Sequence, residues 1–159
     1  MQESKSVAKK LDSIFKKYNV PFGDGLVDEK GYAKSKTKIM FLLKEVDADE
    51  GDFPNVAELG AIFADEAVEK GRWPINAKSW WNVPKFVYAI LNGFPDVDYN
   101  DIPIETLAPY VKQIAWVNLK KGAGAESSDY NDIKTAAKKE FDMWYQEIEI
   151  IKPSVILCG

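Results

Sequence analysis

The chain is 159 residues long and 46% apolar, with 21 basic against 25 acidic side chains and a formal net charge of −4. That is one domain's length with enough apolar surface to fill a core, so wholesale disorder is excluded, and the acidic balance argues against broad phosphate affinity. A single cysteine and no histidine exclude an intrachain disulfide, Cys-rich metal sites, a His-ligated metal and a Ser-His-Asp triad.

We therefore expect no metal and no cofactor, with chemistry left to carboxylates, lysines, hydroxyls and backbone dipoles. No apolar run reaches the roughly 18–20 residues of a membrane helix, and MQESKSVAKK has no apolar signal core. The expectation is a cytoplasmic protein without a membrane partner.

In chain order, Val7, Leu11, Ile14, Phe15 and Tyr18 repeat at helical spacing within residues 4–18, opposite Lys9, Lys10, Lys16 and Lys17. Pro21, Gly23, Gly25 and Gly31 mark a loop. Residues 38–43, Lys-Ile-Met-Phe-Leu-Leu, read as a strand buried on both faces. Val56, Leu59, Ile62, Phe63 and Ala67 give a second helix closed by Gly71. A third helix occupies 79–92, with Pro84 tolerable only in a first turn, so that it starts late in this window. A short helix is expected over 104–112.

Ile114–Val117 reads as a second buried strand, and 120–128 as a Gly- and Ser-containing loop whose Ser127 or Ser128 caps the next helix. That helix is long, covering about 130–150, with Ile133, Ala137, Phe141, Trp144 or Tyr145, and Ile148 inward, and Pro153 closing it. Val155–Cys158 is a third buried strand, where Cys158 serves packing rather than nucleophilic chemistry. Strands alternating with helices predict a single α/β domain over residues 1–159, a three-layer α/β/α sandwich with a short, mostly parallel central sheet. Gly159 falls where a strand-to-helix loop normally begins, which leads us to expect the domain to continue past it.

Ligands of open parallel sheets bind beyond the carboxyl ends of the strands, which directs attention to 44–52 and 118–128. Around these loops the sequence resembles the uracil-DNA glycosylase superfamily over roughly residues 38–159. Lys152-Pro-Ser-Val-Ile-Leu-Cys-Gly159 is similar to that superfamily's segment entering a late strand. Ile114-Ala-Trp-Val-Asn-Leu-Lys-Lys121 is similar to its strand ending in a base-recognising asparagine, and residues 38–52 stand where its first motif belongs. The chain departs from that pattern in having Leu43-Lys44-Glu45-Val46-Asp47 as the first motif and no His-Pro-Ser-type element.

The resemblance implies a uracil-DNA glycosylase-like fold that acts on uracil-containing DNA by hydrolysing the N-glycosidic bond of a flipped uracil base. Such hydrolysis needs a carboxylate to stabilise positive charge on the sugar and orient water, and an amide to read the base edge. Asp47 and Glu45, just past the first strand, are the catalytic candidates. Asn118 is the candidate reader, with Phe53, Trp80 or Trp81 as stacking faces. Lys120, Lys121, Gly122 and Gly124 are candidates for holding a phosphate. Two other readings stay open: a non-catalytic nucleotide- or nucleic-acid-binding domain of the same fold, and an Mg-dependent α/β hydrolase using the acidic residues of 45–52.

Overall fold

A computed structural model describes residues 6–20, 23–45, 55–74, 80–122 and 129–159. The first helix, α1 (Val7–Tyr18), is capped by the Ser6 side chain, which accepts from the Lys9 N–H, and it ends on Asn19 in the left-handed region. Next come two elements that the glycine punctuation concealed, a two-residue strand β1 (Gly25–Leu26) and a short helix α2 (Glu29–Lys34). Both depend on glycine. Gly25 has φ +126°, and at Gly31 a Cβ would stand 2.2 Å from the Lys112 carbonyl oxygen.

β2 (Ile39–Leu43) leads toward α3 (Val56–Lys70), which ends on the left-handed Gly71. α4 (Val83–Leu91) carries Pro84 in its first turn, where no backbone N–H is needed. α5 (Ile104–Val111) precedes β3 (Ile114–Asn118). The expected long helix is two, α6 (Tyr130–Lys139) and α7 (Phe141–Ile151), capped by Asp129 and divided at Glu140. Ser127 and Ser128 lie outside the described residues. The division turns α7 so that Met143, Glu147 and Ile151 face inward, while Phe141, expected inside, is 47% exposed.

β4 (Val155–Cys158) completes a sheet of order β1-β3-β2-β4 among the described residues. β2 is parallel to both β3 and β4, and β1 is antiparallel to β3. β4 is an edge strand rather than the fully buried one expected. Among the described residues it pairs with β2 alone, and Ile156 and Cys158 are exposed.

The pleat sends alternate side chains to two cores. Ile39, Phe41, Ile114 and Trp116 join Ala64, Trp80, Val87 and Val111 from α3, α5 and the α4 region. Met40, Ala115 and Val117 join Leu11, Phe15, Tyr32 and Ile151 from α1, α2 and α7. Helices thus cover both faces, giving the three-layer α/β/α arrangement. The β2-to-β3 connection (α3–α5) and the β3-to-β4 connection (α6–α7) lie on opposite faces and run in opposite directions across the sheet, so that β3 and β4 flank β2. Such a reversal opens a crevice at the carboxyl ends of the strands.

Candidate functional site

The carboxyl ends of β2 and β3 are level, because Leu43 and Asn118 are Cα partners. The pairing continues past both strands, with the Leu119 N–H donating to Leu43 O and the Lys120 N–H to Lys44 O, each at 2.8 Å. On the far side of β2, the Gly159 N–H donates to Leu42 O at 3.1 Å. Glu45, Asn118, Lys120 and Lys121 are therefore delivered to one edge by strand register alone.

Two ion-pair networks occupy that edge. In the outer one, Lys120 Nζ donates to Glu45 Oε2 at 3.0 Å and to Asp132 Oδ2 of α6 at 2.6 Å. The hydrogen bonds to Asp132 and Glu45 raise the Lys120 ammonium above its ordinary pKa. Only 6% of the Glu45 side chain is exposed, so this carboxylate is held in place and kept beside a positive charge.

The inner network is buried. Asp24, in the residues leading into β1, accepts three hydrogen bonds: from the Asn118 backbone N–H at 2.6 Å, from Asn118 Nδ2 at 2.7 Å and from Lys121 Nζ at 2.5 Å. The same ammonium donates to Glu147 Oε2 of α7 at 2.7 Å, and the Lys121 backbone N–H donates to Glu140 Oε2 at 2.7 Å. Asn118 is 1% exposed and Glu147 0%. Burial pulls the Lys121 ammonium down, but the charges and hydrogen bonds of Asp24 and Glu147 outweigh it, and the net shift is upward. Burial pushes the Glu147 carboxyl up to about 7, with Asp24 and Glu140 adding to the rise and Lys121 opposing it. Oε1 of Glu147 is buried without a hydrogen-bond partner among the described residues.

These placements revise the roles read from the sequence. Lys121, expected on a phosphate, has its ammonium enclosed between two carboxylates with 2% of the side chain exposed. Lys120 is occupied by Glu45 and Asp132. Asn118 is at the expected strand end, but its amide nitrogen donates to Asp24. Trp80 is 5% exposed and stacks on Trp116, ring centroids 3.9 Å apart, so it is core rather than a stacking face for a base. Trp81 is 37% exposed and its ring N–H donates to Pro74 O. Gly122 follows Lys121 with open space about its Cα. Asp47, Phe53 and Gly124 lie outside the described residues.

Asp24 and Glu147 were not singled out in the sequence. Asp24 sits in a glycine-punctuated stretch that reads as loop. Glu147 does carry a signal, since it shares one helical face with Met143 and Ile151, and an acid on an apolar stripe must have a buried partner.

A cleft of about 440 Å³ adjoins this edge, between α1 and the start of α3, with Asp12, Lys16, Asn19, Gly23 and Asn55 in its lining. Gly23 directly precedes Asp24, and the Asn55 side chain caps α3 by accepting from the Glu58 N–H. Among the described residues no three acidic, cysteine or histidine side chains are grouped to hold a metal ion. No helix of the described residues is long and apolar enough to cross a membrane. Comparison with models of protein families, with curated proteins and with solved structures finds no match for this chain.

Proposed function

We propose that the chain is a nucleobase-handling domain of the uracil-DNA glycosylase-like kind, which hydrolyses the N-glycosidic bond of a uracil displaced from DNA at the carboxyl edge of β2 and β3. The observation that carries this reading is the level pairing of Leu43 with Asn118, which brings the start of the acidic turn and the asparagine-bearing strand end together. Glu45 is the described carboxylate best placed for the charge-stabilising role. Its carboxyl is fixed 3.0 Å from the Lys120 ammonium, and a carboxylate is the group that stabilises a developing oxocarbenium ion. Asp47 remains the companion candidate from the sequence. Neither role calls for a metal or an imidazole.

The test is incubation of the protein with a uracil-containing single strand, followed by alkali and separation of the fragments. Breaks at uracil, reduced on the order of 10²-fold by Glu45→Gln, support the reading. No breaks with any uracil substrate refute it.

A second reading, a nucleic-acid- or nucleotide-binding domain without excision, is favoured by one feature. The Asn118 amide nitrogen and both lysines are engaged with protein carboxylates, an arrangement that stabilises the edge rather than presenting it to a reacting base. Salt-sensitive binding of the intact strand with no breaks would select this reading over excision.

A further inference from the structure

Asp24, Lys121 and Glu147 are two carboxylates and one ammonium, each with at most 2% of its side chain exposed. Fully ionised, the group carries one uncompensated negative charge inside the fold. Removing such a charge from water is costly, and a titratable group ordinarily relieves the cost by taking up a proton. The geometry identifies which carboxylate takes it. Asp24 has three donors aimed at its two oxygens, whereas Glu147 receives one hydrogen bond on Oε2 and, among the described residues, none on Oε1.

Among the described residues, Lys121 is the one cation that contacts Glu147. Lys121 comes from the loop after β3, Asp24 from the approach to β1 and Glu140 from the α6–α7 junction. α1 turns Leu11, Ile14 and Phe15 inward and keeps Lys9, Lys10, Asp12, Lys16 and Lys17 exposed. On α2, the Tyr32 hydroxyl is directed to Ile151 O, one turn beyond Glu147.

We propose that this cluster is a proton-holding clasp: a proton on Glu147 makes it neutral and keeps Lys121, just past β3, fastened to Asp24 and α7, and loss of that proton loosens the clasp and with it the Asp24 contact that orients Asn118. The upward shift of the Glu147 carboxyl to about 7 agrees with this and sets the pH range in which the clasp responds. The inference does not depend on base excision, because it concerns how the edge is held and not what binds there.

The sign comes from linkage. A carboxyl that binds its proton more tightly folded than unfolded stabilises the fold fully below its unfolded pKa, and that stabilisation is lost as pH rises through the folded value. Urea unfolding of the full chain and of Glu147→Gln, a neutral isostere, is measured from pH 5 to pH 8. The ratio of their folding equilibrium constants, original over variant, should fall on the order of 10²-fold across this range, while the variant alone stays nearly flat above pH 6.

Carbon-13 NMR of the glutamate carboxyls in the unsubstituted protein provides a reading that needs no variant: one resonance should titrate near neutrality and be absent in Glu147→Gln. In Asp24→Asn, which removes the neighbouring negative charge, that resonance should titrate at lower pH. A constant ratio from pH 5 to pH 8, or glutamate resonances that all titrate in the ordinary carboxylate range, overturns the proposal.

Discussion

Asp24→Ala is the sharpest perturbation of the inner network, because one small side chain accepts three hydrogen bonds there. Its removal leaves the Asn118 backbone N–H and side-chain amide without their acceptor in a residue that is 1% exposed. A buried donor left unpaired costs about 1–3 kcal/mol. Breaking a buried ion pair costs about 3–5 kcal/mol when it strands a charge, but here Lys121 keeps Glu147, so the lower part of that range applies. The net loss is about 3–4 kcal/mol, a large share of the roughly 5–15 kcal/mol that a domain possesses. At about 2–4 °C per kcal/mol for this size, Tm should fall by about 6–16 °C.

Asp24→Asn retains one acceptor oxygen and should lose only about 1–2 kcal/mol. The assay is urea unfolding at pH 7, monitored by circular dichroism and tryptophan fluorescence. An Asp24→Ala protein within about 1 kcal/mol of the original would mean that the carboxylate does not hold β3 as described, and the clasp would lose its hub.

Packing and caps set the other outcomes. Trp80→Ala removes a ring stacked on Trp116 in the core and should cost about 3–5 kcal/mol, whereas Trp81→Ala, on an exposed side chain, should stay near 0.5 kcal/mol; equal losses in thermal denaturation would contradict the assignment of Trp80 as core. Gly31→Ala brings a Cβ against the Lys112 carbonyl and should destabilise by about 1–3 kcal/mol, a cost that an unchanged urea midpoint would disprove. Lys38→Met removes an ammonium that donates to the carbonyls of Tyr32, Ala33 and Ser35 at the end of α2. A loss of about 1–3 kcal/mol is expected from charge-assisted bonds and the helix dipole, measured by the same unfolding curve, and a neutral result would show these contacts to be dispensable.

The elements easiest to read in the chain are those whose cause is local. The apolar run 39–43 reads as a buried strand, the stripe Val7–Leu11–Ile14–Phe15 reads as an amphipathic helix, and Pro84 located the first turn of α4 by its missing N–H. The parallel pairing and the shared edge of Glu45 and Asn118 also stem from alternating strands and helices. α2 and β1 were hidden because six and two residues carry too little periodicity to register; β1 is held by pairing with β3, and Gly31 lets α2 approach the Lys112 carbonyl.

What the sequence determined by itself is the α/β class, the order of the main strands and helices and the chemistry ruled out by the absence of histidine. The tertiary structure alone decided that Lys121 faces inward, that Trp80 belongs to the core and that Asp24 and Glu147 belong to the edge. The reason is that burial and charge pairing join residues as far apart in the chain as Asp24 and Lys121. Their strength depends on local dielectric and hydrogen-bond geometry, and neither quantity exists until the helices have closed over the sheet.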